Sequence, residues 1–325
     1  MNLVIPNARR VVPVLAAALA AGCAGGSAIT PTPYAGWAGS YRLANDRAEM
    51  VVVPRIARVM SFAVKGGANL LWQDAALRGK ASDLTAKGWQ NFGGAKLWIA
   101  PQSAWKWPPP PVIDRAPCAA SVHRGRLRLV GAASLQHGLR LDREYRLLPG
   151  RPVVECTYTL VNTGDQPAAW GIWSVAQLLP GGRAMVPAPH GSRVWGSKDT
   201  LKQPQWRRTN DLLVCRVSGK ASKVFAVSPV GWMAYACRGH VFVMTFAADT
   251  KAAYPPGHAS HEFFTCDRYV EMEHVGPLVT LKPGERGTLR ERWHVYRLPR
   301  PDLTDAELRA FVESQTRGGT SPDRP

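Results

Sequence analysis

The segment Tyr269-Val270-Glu271-Met272-Glu273-His274 carries two carboxylates two residues apart. Successive side chains of a strand point to opposite faces, so Glu271 and Glu273 share one face and Val270 and Met272 the other. The apolar face seats the strand on a core and leaves two acids on the far side. Such a pair can do acid–base work on a sugar, bind a cation, or stand in water. If the two are close, repulsion raises one pKa and leaves an acid beside a base.

Other chemistry-bearing residues cluster in two stretches. The loop Tyr254-Pro255-Pro256-Gly257-His258-Ala259-Ser260-His261-Glu262 offers His258, His261 and Glu262. These are metal-ligand types, but their spacing matches no established metal motif. No metal or other cofactor is expected, and a contribution to a sugar pocket is the better reading. The region 83–117 holds Trp89, Trp98, Trp105 and Trp107, flanked by Asn91, Lys96 and Gln102. An indole either packs in a core or stacks on the apolar face of a sugar ring with its N–H free for a hydroxyl. Lys96 can meet a carboxylate or phosphate, or simply be solvated. The Gly-Gly pairs at 66–67, 93–94 and 181–182 lead into no phosphate loop, and no GxSxG elbow occurs.

The elements that must position these residues read as strands. Examples are Met50-Val51-Val52-Val53, Val59 to Val64, Leu139 to Leu147, Val153 to Leu160, Val241 to Phe246 and Thr288 to Tyr296. Turns such as Pro149-Gly150-Arg151-Pro152 and Asn162-Thr163-Gly164-Asp165 separate them. The prolines 108–111 cannot join a sheet interior, so 83–117 reads as a long ordered loop or edge. Helical signal appears near the end, where Thr304-Asp305-Ala306-Glu307 matches a capping box before Leu308, Phe311 and Val312. Strands at short spacing without βαβ alternation predict an all-β fold, a large antiparallel β-sandwich or barrel with a short C-terminal helix. The 325 residues are 46% hydrophobic and 20% charged, with Gly 30 and Pro 27, which suits such a fold.

The N-terminus reads as an export signal. Arg9-Arg10 precede a short apolar run, Val11 to Ala21, and then Gly22-Cys23. Residues 1–22 resemble a bacterial lipoprotein signal, with Cys23 as the lipidated residue and an outer-membrane protein facing the periplasm as the product. A plain secretory signal, giving a periplasmic or secreted protein, is the alternative. Residues 23–40 are read as a linker, 41–300 as the domain, and 301–325 as a short helix and a disordered tail. Besides Cys23 there are Cys118, Cys156, Cys215, Cys237 and Cys266, an odd number in widely spaced positions without CxxC. The 41 Lys+Arg against 23 Asp+Glu give a formal charge of +18. No basic run is interleaved with aromatics as in a nucleic-acid groove, so nucleic acid is not expected. Carbohydrate, including anionic glycan, and the membrane reached through a lipid anchor are the expected partners.

The order of these features resembles the galactose mutarotase-like supersandwich superfamily, and most nearly a family of uncharacterised bacterial proteins within it. The resemblance rests on Val53 to Phe62 with Asn69-Leu70-Leu71-Trp72, on Asn91 to Gln102, and on Arg143 to Leu147. Further matches are Val161-Asn162-Thr163-Gly164 with Trp170 to Gln177, and the carboxylate strand with Leu281-Lys282-Pro283-Gly284-Glu285. It implies a carbohydrate-recognising protein of that fold. It also implies that Glu273, with Glu271 beside it, takes the place of the glutamate that removes the anomeric proton in sugar mutarotases. The partner histidine would fall near Trp173 to Gln177, where there is none. Gln177 can orient a hydroxyl but cannot deliver a proton, and His190, His258 or His261 would have to substitute from another loop. Two readings follow. One is an enzyme acting at an anomeric centre or on an acidic oligosaccharide, with Glu273 and Glu271 assisted by His258 or His261. The other is a non-catalytic glycan-binding or structural envelope lipoprotein. Trp98, Trp105, Gln102, Lys96, Asn91, Gln177 and Glu262 are the candidate binding residues.

Overall fold

The computed structural model describes residues 26–197, 199–209 and 211–317. The segment read as a signal, with Cys23, and the residues beyond 317 lie outside them. Two large antiparallel sheets face each other. The first has eleven strands and runs Ala28–Pro31, Tyr41–Ala44, Ala48–Val53, Arg58–Val64, Ala95–Ala100, Ala168–Leu178, Val270–Val275, His261–Thr265, Ser222–Val227 and Arg193–Gly196, with Val279–Leu281 paired to Ala168–Leu178. The second has ten and runs Trp206–Thr209, Leu212–Arg216, Arg183–Pro187, Trp232–Cys237, His240–Phe246, Arg286–Arg297, Val153–Asn162, Leu139–Leu147, Arg126–Val130 and Ala119–His123. This is the all-β supersandwich that the strand pattern and the resemblance predict.

Alternation explains how each sheet is seated. Val270 and Met272 join Leu97, Ile172, Phe263 and Trp293 in the main core between the sheets. Glu271 and Glu273 therefore lie on the outer face of the eleven-stranded sheet. The strand Arg286–Arg297 turns Leu289, Trp293 and Val295 into the same core, and alternation carries Glu291 inward with them. That carboxylate is 2% exposed. Its Oε1 accepts from Tyr158 Oη at 2.9 Å, Ser174 Oγ at 2.7 Å and Trp293 Nε1 at 2.7 Å, and its Oε2 accepts from His274 Nδ1 at 2.8 Å. Ser174 and His274 belong to one sheet and Tyr158 and Trp293 to the other, so Glu291 ties the layers together. A buried charge is tolerated when its lone pairs are filled in this way.

The C-terminal helix Asp305–Thr316 starts at the predicted capping box, with Thr304 and Glu307 bonded reciprocally. Its Leu308 and Val312 pack on Met185, Val214, Trp232 and Val243, the outer face of the second sheet. No helix among the described residues is long and apolar enough to cross a membrane. Cys118, Cys156, Cys215, Cys237 and Cys266 are all free thiols.

Two expectations need correction. Residues 28–31 of the expected linker form an edge strand in register with Tyr41–Ala44. Trp37 from the same stretch is buried, with its indole edge-on to Phe92 and its Nε1 donating to Lys80 O at 2.8 Å. The region 83–117 is not a simple loop: Ala95–Ala100 lies inside the first sheet, buried at every position. The proline run ends in a helix, Pro111–Arg115, because a proline in the first helical turn lacks only an N–H that the helix would leave unpaired.

Candidate functional site

The outer face of the first sheet carries a cleft of about 630 Å³, a size suited to a small ligand. Five adjacent strands supply its floor. Trp98 stands opposite Trp173, Lys96 opposite Val175, Glu271 opposite Gln177, and Glu273 opposite both Val175 and Glu262. Ser222–Val227 sends Val224 and Ala226 to the core and Lys223 and Phe225 to the cleft. Trp98, Trp107, Trp173, Phe225, Phe264 and Tyr269 make the walls predominantly aromatic. Trp107 is 54% exposed at the rim, and its ring meets Trp89 and Trp98 edge-on. Between Trp105 and Trp107, Lys106 turns the chain with φ of +61°.

Three carboxylates and two lysines are interleaved beneath these walls. Glu273 is fully buried. Lys223 Nζ donates to both of its oxygens at 2.6 Å, and Trp173 Nε1 donates to its Oε2 at 2.6 Å. Lys223 also reaches Glu262 Oε2 at 2.8 Å. One ammonium thus serves two carboxylates, and the two are held differently. Glu262 Oε1 also accepts from Ala259 N at 3.0 Å and His258 Nδ1 at 3.0 Å. Burial pushes Glu262 up, but Lys223 and His258 outweigh it and leave its pKa lowered. For Glu273 burial dominates. Lys223 opposes it, Glu262 and Glu271 add to it, and the carboxyl is raised to about 8. An acid beside an ionised carboxylate is the arrangement expected of close carboxylates, although the ionised partner here is Glu262 across the strand pair.

Glu262 and Glu271 both line the cleft, and Glu271, 7% exposed against 0%, is the one open to it. Its Oε1 accepts from Gln177 Nε2 at 2.8 Å and Lys96 Nζ at 3.3 Å, leaving Oε2 without a protein partner among the described residues. Lys96 lies under the indoles of Trp98 and Trp89, 4.8 Å and 5.2 Å from their centroids. Burial lowers its pKa to about 8 against the opposing pull of Glu271. Gln177 is fully buried and its Oε1 has no partner among the described residues. Below this layer Asp114 accepts from Trp98 Nε1 at 2.8 Å, Trp89 Nε1 at 3.1 Å and Arg58 at 2.7 Å, which fixes both indoles.

His258 stands at the cleft wall with its ring 4.6 Å from that of Trp173, so a loop histidine does reach the place where the strand has none. Both ring nitrogens are engaged. Nε2 accepts from Gln102 N–H at 3.1 Å, so Nδ1 must carry the proton donated to Glu262. Gln102 itself lines the cleft. Of the sequence candidates, Trp98, Gln102, His258, Glu262 and Glu271 line the cleft; Glu273, Lys96 and Gln177 lie behind that lining, bonded to Trp173, Lys223 or Glu271, and three others are not brought to it. His261 alternates to the opposite face, where its Nε2 bonds Val230 O at 2.9 Å and its ring packs on Phe246; burial lowers its pKa to about 3. Asn91 is buried and its Oδ1 accepts from Gly93 N. Trp105 donates to Ile99 O at 2.8 Å and packs against Trp98 and Trp173 from behind. Sequence reasoning missed Lys223, Phe225, Tyr269 and Asp114. Alternation against Val224 and Ala226 was the available signal for Lys223 and Phe225, whereas nothing local marks Asp114.

No curated protein sequence matches the chain. Solved structures do. A galactose mutarotase-like protein from Lactobacillus casei matches at TM-score 0.57 and 10% identity, covering 79% of this chain and 100% of that one. A Klebsiella pneumoniae protein provisionally named an aldose 1-epimerase matches at TM-score 0.58 and 12% identity, covering 92% and 88%. A TPR-domain containing protein from Parabacteroides distasonis matches at TM-score 0.56 and 17% identity over 82% of this chain, which spans only 48% of that protein. At such identities the likeness concerns the fold, and the fold is that of the galactose mutarotase-like proteins. A family model described as a domain of unknown function, DUF4380, matches residues 39–296, and the chain belongs to that family.

Proposed function

We propose that the cleft binds carbohydrate and does not turn it over at the anomeric centre. The observation that carries this reading is the clamp on Glu273. Glu273, to which the resemblance assigns the place of the mutarotase base, is fully buried, with both oxygens on Lys223 and one on Trp173. An anomeric hydroxyl would have to displace Lys223 to reach it, whereas a general base needs hydrogen-bond reach to the proton it removes. The aromatic walls supply stacking surfaces, and Glu271 Oε2 supplies an acceptor for a hydroxyl. Both floor lysines are already paired with carboxylates, so among the described residues a sugar acid would find an unpaired lining lysine only at the exposed rim, in Lys106, and an uncharged ring is the better fit to the floor. Export with lipid attached at Cys23 belongs to the same reading: it would hold the cleft at the outer membrane, facing the periplasm.

The test is ligand-observed NMR with glucose, galactose, N-acetylglucosamine and glucuronate, which reports binding and anomeric exchange together. Binding of a neutral sugar without faster exchange is expected. Glu271→Gln, which removes a charged acceptor, weakens it about tenfold, or ~1.4 kcal/mol. Faster exchange abolished by Glu273→Gln would restore the catalytic reading, and exchange lost only in Glu271→Gln would make Glu271 the base. No response to any of the sugars would remove the cleft from carbohydrate chemistry.

A further inference from the structure

A second cleft of about 620 Å³ lies where the start of the C-terminal helix meets the ends of strands in the second sheet. It is separate in the fold from the aromatic cleft and differs from it in carrying no aromatic wall and in being lined by Arg183, Arg216 and Arg238. The strand register sets Arg183 directly opposite Arg216, and like charges in that position destabilise a sheet. Asp305 compensates in part. Its carboxylate, 12% exposed, pairs with Arg183 at 2.7 Å, with Arg216 at 3.5 Å and with Arg207. One carboxylate therefore faces three guanidiniums.

Arg238 adds a fourth. It occupies the turn between Trp232–Cys237 and His240–Phe246 with φ of +49°, a conformation that L-residues other than Asn and Asp seldom adopt. It makes no ion pair among the described residues. The other acids at the cleft are engaged elsewhere: Asp302 pairs with Arg300 at 3.3 Å, and Glu307 pairs with Arg300 and closes the capping box on Thr304. Five arginines, Arg183, Arg207, Arg216, Arg238 and Arg300, against the three carboxylates Asp302, Asp305 and Glu307 leave a local excess of about two positive charges. Guanidinium forks favour planar carboxylates and phosphates, and an excess of this size suits a dianion better than a monoanion.

We propose that this cleft binds a phosphomonoester, on a free phosphorylated compound or on a lipid headgroup. The excess positive charge of the chain is thereby given a specific place, away from the sugar cleft, and the inference stands whether or not that cleft binds sugar.

The test uses the full chain and two probes. Inorganic phosphate is titrated at constant ionic strength, with chloride as the replaced anion, while the amide signals of Gly181, Gly182 and Gly239 are followed. Co-sedimentation compares phosphatidylcholine vesicles with and without phosphatidic acid, so that any contribution of an N-terminal lipid or signal cancels. Saturable shifts at those glycines are expected, with the Trp98 and Trp173 indole signals unmoved. Arg216→Glu and Arg238→Glu, both at exposed side chains, should weaken the response at least tenfold. Arg286→Glu with Arg290→Glu makes the same total change in charge on exposed positions of another strand and should leave it intact. Shifts with phosphate but no preference for phosphatidic acid identify a free phosphorylated ligand, and a preference that Arg238→Glu removes identifies a lipid. The proposal is overturned if neither probe responds, if chloride at equal ionic strength gives the same shifts, or if the control variant loses as much as the cleft variants.

Discussion

Lys223 is the residue on which the candidate site turns. It is the one cation between Glu262 and Glu273, with 17% of its side chain exposed. Removing one partner of a buried charge pair leaves the other charge uncompensated, so Lys223→Met should cost about 3–5 kcal/mol in denaturant unfolding at neutral pH. Adding Glu273→Gln should recover part of the loss, and equal stability of the single and double variants would contradict the clamp. The raised Glu273 and lowered Lys96 also shape stability against pH. A carboxyl whose folded pKa lies above its unfolded value stabilises fully below the unfolded value and loses that contribution as pH rises to the folded one. For Glu273 that window runs from 4.5 to about 8. Lys96, lowered from 10.5 to about 8, has the opposite sign, because the unfolded chain binds the extra proton between those values and stability rises across them. Thermal scans should therefore show the stability of the wild type relative to Glu273→Gln falling as pH rises from 4.5 to about 8, and its stability relative to Lys96→Met rising from about 8 to 10.5.

Elements place groups that no single residue accounts for. The strand Arg286–Arg297 reads as apolar alternation with one acid in the apolar phase, and the fold uses that acid as a tie between layers. Glu291→Ala would leave Tyr158, Ser174, Trp293 and His274 without their acceptor. A loss of about 3–5 kcal/mol is expected, against a smaller loss in Glu291→Gln, which keeps an acceptor oxygen and the shape. Urea titrations of the two variants check this, and equal losses would mean that volume, not hydrogen bonding, matters at this position. Alternation also explains why only part of the histidine loop reaches the cleft. Glu262 and His261 are neighbours on the strand His261–Thr265, so placing Glu262 on the cleft face necessarily turns His261 into the interior. His258 precedes the strand and escapes that constraint.

For the molecule as a whole, the two clefts divide the chemistry. The formal charge of +18 sits beside an aromatic cleft whose own floor holds three carboxylates, and the arginine-lined cleft gathers part of the excess on the other sheet. The proposed lipid anchor rests on Cys23, which lies outside the described residues. If Cys23 carries lipid, Cys23→Ala should move the protein from the membrane fraction to the soluble one, and an unchanged distribution would leave cleavage of a plain secretory signal as the account.

The amino-acid order alone determined the all-β class, the capping box at Thr304, and the shared face of Glu271 and Glu273. These follow from local periodicity, which is independent of what packs above. It also pointed to Trp98, Gln102 and His258 as neighbours of one site through the resemblance, not through spacing. Only the tertiary structure decided that Glu273 is clamped and Glu271 open, since that depends on Lys223 arriving from a strand two places away in the sheet. It likewise decided that Asp114 holds the indoles and that Ala28–Pro31 is a strand. Such pairings join residues far apart in sequence, and a side chain's charge state there is set by burial and by partners that no local pattern records.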